Sequence, residues 1–429
     1  MPNRGRVCAW LATVAVAVGC HAPPTVPDPS PTAPLLPPEL PVVAPASLEP
    51  DLTTLPAVDP LTATADDVAP PPLGYRGLTE EVCRREAAAR ASAAGLFNQE
   101  NRIPARIEVR RDFSPEADAL TREVRAHLAA EGRNRAAAEA LDEFFQLADA
   151  EGRGELMRAT LPVLDRLRET VRKARADGVR VPVDPDELGR QRASLLGLLA
   201  QADAGARALD IDLKRRIGVP GRTPERLRPV GCLGVPGTPP DVDATIRTAV
   251  ETRPDLLALR TVYLQLSPET LPVVRELVRG RLAPGGGPTT GGALARPLLA
   301  LVLARARARR LDAAALAELE VRRQQLYDLI AERERQAADE VRAAAVALTG
   351  QTTQVALARW KAEQLAARVA EAKPRGPLAE LAAELEAYRA RAEVVATVTA
   401  WHRARVKLLA AQGLLGEEER TTESQRTQR

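Results

Sequence analysis

The chain has 429 residues, of which 45% are hydrophobic and 27% charged, and its formal net charge at neutral pH is +3. This balance is typical of a folded protein that faces water. It argues against a nucleic-acid-binding protein, which would carry a clear excess of basic residues. Only 3% of the residues are aromatic, so apolar contacts must come mainly from alanine and leucine, as in helices packed closely side by side.

The first 19 residues have the composition of a secretory signal peptide. Arg4 and Arg6 supply the positive charge, and the apolar run from Cys8 to Val18 is too short to span a bilayer. The run ends in Ala17-Val18-Gly19-Cys20, which resembles a bacterial lipobox, so we predict that Cys20 is lipidated and becomes the mature N-terminus. The alternative is an ordinary secretory signal that contains Cys20 by chance.

Residues 20–74 are rich in proline and have no helical period. We expect a disordered, extended tether that would hold the folded part away from a membrane surface. Cys83 and Cys232 are the two cysteines that remain after the signal and the lipidation site. They either pair in an oxidising compartment or stay as buried free thiols, and the sequence leaves both possibilities open.

The first helical region is predicted over residues 75–219. Thr79 is expected to cap a short helix that ends near Gln99, and the segment after it has room for one brief strand. Ser114–Pro115 has the form of a helix start, because proline is favoured at the first helical position. This second helix is predicted to extend to about Ala176.

After a turn at DGVRVPVDPDE, a further helix is predicted from Asp186 to about Ile217. Its apolar positions alternate steps of four and three residues, the pattern of a coiled-coil seam. The seam consists of Leu188, Arg192, Leu195, Leu199, Ala202, Ala206, Leu209 and Leu213.

A Gly/Pro-rich linker is predicted over residues 220–240, and a second helical region over residues 241–415. The second region holds a long polar helix, Asp312 to Ala372, and a final helix with its own seam. That seam consists of Leu378, Leu381, Leu385, Tyr388, Ala392, Val395, Thr399, His402, Val406 and Leu409. A disordered polar tail is expected over residues 416–429. The predicted fold is therefore all-α, with two tandem repeats of long antiparallel coiled-coil helices and little or no β structure.

Few residues have the pattern of a catalytic or cofactor site. The three histidines, His21, His127 and His402, have neither metal-ligand spacing nor a nucleophile motif nearby. No CxxC pair occurs, and the glycines at 285–287 are not followed by the GK[ST] of a P-loop. We predict no catalytic residue, no cofactor and no metal site, and hence a protein that is not an enzyme.

The second region opens with Arg253, Pro254, Asp255 and Leu256, which resemble the RPDL signature of TolC-family outer-membrane efflux proteins. In that family the signature begins the second of two tandem repeats. Further segments resemble the family in the same order, over roughly residues 75–416. They are YRGLTEEVCRREAAARAS at the first helix, Val183–Leu188 at a turn, Asp212–Val219 and Trp401–Leu415 at helix ends, and Ala338–Ala344 in the long helix.

The resemblance implies a TolC-like α-barrel protomer, in which a homotrimer of long helices encloses a canal through the periplasm. It also implies an outer-membrane location, facing the periplasm, and work with an inner-membrane pump and a periplasmic adaptor. The function expected is a passive efflux conduit or docking component without catalysis. The membrane contact expected is the lipid on Cys20, and Arg253–Leu256 are expected to be structural.

One departure from the family concerns its β-hairpins, which lie between the helices of each repeat. The segments 99–114 and 281–292 lack the alternating strands that a membrane barrel needs. We therefore expect both hairpins to be missing and the chain alone to form no membrane-spanning pore. The alternative function that follows is a lipid-anchored periplasmic coiled-coil scaffold without transport activity.

Overall fold

The computed structural model describes residues 74–102, 114–220, 223–231, 234–235, 240–281 and 313–416. The first repeat contains β1 (Tyr75–Thr79), α1 (Glu80–Ala89), α2 (Ser92–Arg102), α3 (Pro115–Ala176) and α4 (Pro185–Ile217). After β2 (Arg226–Val230), the second contains α5 (Val242–Thr252), α6 (Pro254–Leu264), α7 (Leu271–Arg281), α8 (Ala313–Ala372) and α9 (Pro377–Gln412). Short 3₁₀ helices follow α8 and α9, at Lys373–Arg375 and Leu414–Gly416.

The helix starts predicted from capping residues are confirmed. Thr79 Oγ1 accepts a hydrogen bond from Val82 N at 3.3 Å, and Ser114 Oγ accepts one from Ala117 N at 3.2 Å. Each side chain thereby satisfies one of the free N–H groups of its first turn. The predicted single short helix to about Gln99 is instead two helices, because α1 ends at Arg90 and the chain continues as α2.

Four helices form a single row in the order α4, α3, α9, α8, with each helix packed against its neighbour. The two longest, α3 and α8, have 62 and 60 residues, which gives each a length of about 90 Å. The helices run in alternating directions, since α3 and α8 run toward the hairpin turns and α4 and α9 run away from them. The all-α prediction of long antiparallel helices is confirmed.

The seam predicted for α4 packs against α3, and all eight of its positions are buried or partly buried. The helix α9 is buried on two faces rather than one. Its predicted seam faces α3, where Val395 lies 3.0 Å from the position of a Cβ on Gly152. A second face, with Val394, Val398 and Trp401, packs into the cluster formed with α8.

The hairpin ends of the two repeats share one apolar cluster. It joins the last turns of α3 to the first turns of α4 and α9, so the two hairpins are held together at this end. Its buried members are Val163, Leu164, Leu167, Val171, Leu188, Leu381 and Leu385.

Two strands were not predicted from the sequence. β1 and β2 pair in parallel, with Tyr75 opposite Arg226 and Thr79 opposite Val230. The linker predicted over residues 220–240 thus contains a strand. Five residues are too few for a clear period-two signal, and the pairing joins segments far apart in sequence.

Several predictions fall on residues that the structure does not describe. These are the lipidation of Cys20, the tether up to residue 73, the state of Cys232, the brief strand after α2 and both hairpin segments. Cys83 itself is a buried free thiol that donates to the carbonyl of Ala140. Gly416, predicted to begin the tail, is buried. None of the described helices has the length and apolar character that a membrane span needs.

Candidate functional site

The four residues of the RPDL motif lie at the junction of α5 and α6, beside the C-terminal end of α9. Arg253 takes an extended conformation between the two helices, and Pro254 occupies the first turn of α6. The Arg253 guanidinium binds both carboxylate oxygens of Asp255 at 3.0 Å each. Its third nitrogen donates to Glu340 of α8 at 2.5 Å. One side chain therefore ties α6 to α8.

The charges around Arg253 set its protonation. Burial acts to lower the pKa of Arg253, but the hydrogen bonds and charges of Asp255 and Glu340 outweigh burial and raise that pKa. The guanidinium is thus a fixed positive charge. Asp255 also accepts a hydrogen bond from Leu256 N at 3.0 Å, and the Leu256 side chain is fully buried. Within the motif, Arg253 and Asp255 form an ion pair, and Leu256 packs in the core.

The carbonyl groups at the end of α9 receive hydrogen bonds from both repeats. Asn134 of α3 donates to Ala410 O at 3.0 Å, and Thr252 donates to Gln412 O at 2.6 Å. The last carbonyls of a helix have no partner within the helix, so these side chains satisfy groups that would otherwise be left unpaired. Asn134 also accepts from Leu415 N at 3.0 Å. We name Asn134, Thr252, Arg253 and Gly413 the C-terminal clasp.

Gly413 ends α9 in the left-handed region, with φ +80°. A Cβ at this position would lie 2.9 Å from Pro254 Cδ and 3.0 Å from Arg253 Cα. Both neighbours are ring or backbone atoms, which do not move aside as a flexible side chain would. Glycine is therefore required here both by the backbone conformation and by the close approach of the motif.

Glu131 of α3 lies next to the clasp, and nearby positive charges only weakly stabilise its carboxylate. Burial, followed by the charge of Asp255, raises the pKa of Glu131 to about 7. Its ion pair with Arg135 is long, at 3.9 Å. Arg253, which opposes this effect, is already shared between Asp255 and Glu340. A carboxyl group with a pKa of about 7 therefore lies beside the clasp.

A second polar junction holds β2 against α4. Lys214 Nζ donates to Asp210 at 2.8 Å and to the Glu225 carbonyl at 2.6 Å. Asp210 accepts in turn from Leu227 N at 2.7 Å. Both side chains are almost fully buried, so each charge depends on the other.

The histidines contribute to packing rather than to a shared site. His402 is buried, stacked on the ring of Phe145 at 4.8 Å between centroids. His127 lies with its Nε2 3.2 Å from Thr261 Oγ1, and burial lowers the pKa of His127 although Glu123 opposes the shift. Within the described ranges, no three His, Cys, Asp or Glu side chains are grouped so that they could hold a metal ion.

One face of the row carries a groove of about 520 Å³ between α3, α4 and α9. Asp149, Arg153 and Arg403 line it together with alanines and leucines. Thr399 donates to Asp149 at 3.4 Å, and burial raises the pKa of Asp149. The lining of the groove is therefore mixed, with charged side chains among a larger apolar surface.

Searches of protein-family models and of curated proteins found no match. Solved structures do match. CusC, described for its folding and transmembrane channel formation, has a TM-score of 0.50 and 15% identity over 79% of this chain and 96% of that chain. This is a TolC-like fold.

Two further solved structures resemble this chain. A membrane protein from Pseudomonas aeruginosa has a TM-score of 0.47 and 17% identity, over 69% of this chain and 72% of that one. The Campylobacter jejuni CmeC outer membrane channel has a TM-score of 0.46 and 13% identity, over 73% and 69%. At such identities the likeness concerns the fold alone.

Sequence reasoning singled out Arg253–Leu256 but missed Asn134 and Thr252, which complete the clasp. A lone asparagine in the middle of a 62-residue helix has no local signature, because its partner lies 276 positions away in the sequence. Asp210 and Lys214 were also missed. Their spacing of four residues on one helix is typical of an ordinary surface ion pair.

Proposed function

We propose that this chain is a passive efflux conduit at the outer membrane, working without catalysis. The observation that carries the proposal is the row of four antiparallel helices, two of them about 90 Å long, in a fold shared with CusC. Helices of that length suit a wall that crosses a compartment rather than the core of an enzyme.

A row of four helices cannot enclose a canal by itself, so the conduit requires several copies. We propose a homotrimer, as the TolC-like fold suggests, in which three rows close into a helical barrel. Cyclic assembly from identical copies needs two different, complementary edges on each copy. The row has two different edges, α4 and α8, since each of these helices has one neighbour in the row.

The partners proposed are an inner-membrane pump and a periplasmic adaptor. A passive canal has no energy source of its own, so it can expel a substrate only when a pump supplies it. The hairpin turns, residues 177–184 and 373–376, lie at one end of the row. That end is the natural place for a partner that feeds the canal.

The membrane anchor proposed is a lipid on Cys20, supported by the lipobox-like sequence. The mature chain should partition with membranes and carry a diacylglycerol mass on its N-terminal cysteine. Cys20→Ser should move the chain to the soluble fraction. An unmodified mature terminus at another residue would contradict this part of the proposal.

The efflux proposal is tested in a strain that lacks other outer-membrane efflux channels. Deleting the gene should raise the accumulation of a panel of fluorescent dyes and antibiotics, and the full chain should restore the lower level. A matched complementation uses Arg253→Gln, which loses the ion pairs to Asp255 and Glu340. Unchanged accumulation of every compound, with altered cell-envelope morphology, would instead support the scaffold function and refute transport.

A further inference from the structure

The groove between α3, α4 and α9 has the size of a small-molecule site. Its volume of about 520 Å³ lies in the range of about 300–1,000 Å³ that is usual for such sites. Small residues of all three helices line it and keep it open, namely Ala150, Ala202, Gly205, Ala396 and Ala400. Among the described residues, no atom lies within 4 Å of a Cβ placed on Gly205. The groove therefore has room for a ligand beside α4.

Three larger apolar side chains supply a surface for the body of that ligand. Met157 comes from α3, and Leu198 and Leu209 come from α4. Leu198 is 46% exposed, so part of this apolar surface is open to an incoming molecule. Methionine is flexible and adapts its shape to irregular apolar partners. The groove can therefore hold apolar molecules of different shapes.

Two arginines at the groove retain hydrogen-bond donors. Arg153 donates to Asp149 through one nitrogen, and Arg403 donates to Asp142 through two, at 2.7 and 3.2 Å. A guanidinium has more N–H groups than these bonds use. The two arginine side chains are also 44% and 39% exposed. Both can therefore donate to a ligand without giving up their ion pairs.

The two carboxylates are more fully occupied than the arginines. In addition to the bonds from the arginines, Asp142 accepts from Gln146 at 2.6 Å, and Asp149 accepts from Thr399 at 3.4 Å. Both carboxylates are also less exposed than their arginine partners. The charged groups that the groove offers to a ligand are therefore mainly donors, which suit an anion better than a cation.

The groove lies on the face of the row opposite the sheet. Glu151 and Glu155 of α3 bind the two arginines of β2 at 3.0 and 2.6 Å. With 3.6 residues per turn, these positions lie on roughly the opposite side of α3 from Ala150 and Arg153. The same division holds for α4, where Asp210 binds β2. In a ring of rows the sheet must lie outside, because inside it would obstruct the canal. The groove then faces the canal.

We propose that this groove is a transient binding site for amphipathic anions, molecules with an apolar body and one carboxylate or sulfonate group. The inference rests on the proposed function, because it names a substrate class of the conduit. The apolar body would lie on Met157 and Leu198, and the anionic group would accept from Arg153 and Arg403. An open groove binds weakly, and weak binding is what a conduit requires, since a substrate must leave as readily as it enters.

The first test is equilibrium dialysis of the full-length chain against two matched probes, with detergent alone as the blank. Both probes carry a naphthalene ring, one with a sulfonate group and the other with a methylammonium group. We expect saturable sulfonate binding, about tenfold tighter than ammonium binding, as one charge-assisted hydrogen bond would give. Equal affinities, or tighter binding of the ammonium probe, would overturn the inference.

A substitution that fills the groove tests its position. Gly205→Leu places a side chain in the open space, and leucine is a better helix former than glycine. Sulfonate binding should weaken about tenfold with unchanged helical circular dichroism. Gly95→Leu in α2 is the matched control, because among the described residues its Cβ also meets no atom within 4 Å and it lies outside the groove. Equal binding by these two variants would place the site elsewhere and overturn the inference.

A second substitution tests the charge. Arg153→Gln should weaken sulfonate binding about tenfold without weakening ammonium binding. Arg207→Gln is its control, because Arg207 is exposed and lies on roughly the opposite side of α4 from Gly205. It should bind both probes as the unsubstituted chain does. Unchanged sulfonate binding by Arg153→Gln would contradict the assignment of the anionic group to this arginine.

The accumulation assay separates this inference from the proposed function. In the strain that lacks other outer-membrane efflux channels, Gly205→Leu should impair the export of anionic amphipathic dyes and leave that of cationic dyes unchanged. Normal export of both dye classes by Gly205→Leu would overturn the inference and leave the conduit intact. Sulfonate binding that Gly205→Leu abolishes, in a chain whose deletion changes no compound's accumulation, would refute the conduit and keep the anion site.

Discussion

Replacing Gly413 by alanine tests the tight contact between the RPDL motif and the end of α9. The left-handed conformation, at φ +80°, disfavours a residue with a Cβ by roughly 1–2 kcal/mol. The new Cβ would also lie 2.9 Å from Pro254 Cδ and 3.0 Å from Arg253 Cα, and such overpacking adds about 1–3 kcal/mol. The expected loss in the free energy of unfolding is therefore about 2–5 kcal/mol.

Gly178→Ala is the matched control, because Gly178 has φ +77° but no atom within 4 Å of its Cβ position. It should lose only the backbone part, about 1–2 kcal/mol. The assay is guanidinium denaturation followed by circular dichroism, with both full-length variants at one protein concentration, since assembly shifts apparent stability. Equal losses for the two variants would refute the close approach of the motif to α9.

Three further substitutions test the polar junctions and the core. Lys214→Met leaves Asp210 charged and buried, so it should lower the free energy of unfolding by about 3–5 kcal/mol and expose the β2 region to limited proteolysis; unchanged stability would contradict the buried pair. The raised pKa of Glu131, about 7, means that the folded state holds this proton more tightly than the unfolded state. Its stabilising contribution is therefore complete below about pH 4.5 and is lost as pH rises through about 7. Glu131→Gln should flatten the fall in denaturation midpoint between pH 5 and pH 8, whereas the exposed control Glu363→Gln should not. Leu385→Asp places a charge in the apolar cluster of the hairpin ends and should lower stability by about 2–5 kcal/mol; a loss under 1 kcal/mol in the same denaturation assay would show that the two hairpins are not joined there.

The helices were predictable because their signals are local. Ser114 before Pro115 marks a start through the geometry of the first turn, and the same holds for Asp241, whose carboxylate accepts from Asp243 N and Ala244 N. The seam of α4 was visible because a coiled-coil contact repeats every three or four residues. Such features depend on neighbours within one or two helical turns.

The clasp and the sheet were not predictable, because they join distant parts of the chain. The pairing of β1 with β2 and the bond from Asn134 to α9 depend on the packed row already being in place. The double burial of α9 was also missed. The apolar side chains at Val394, Val398 and Trp401 lie off the predicted seam, and only their position beside α8 explains them.

Electron microscopy of the full-length chain, extracted from membranes in mild detergent, tests whether copies of this chain enclose a canal. We expect a threefold-symmetric cylinder whose wall contains the four row helices of each copy and whose centre is open along its length. A single row of helices without partners, or a solid bundle with no canal, would contradict it.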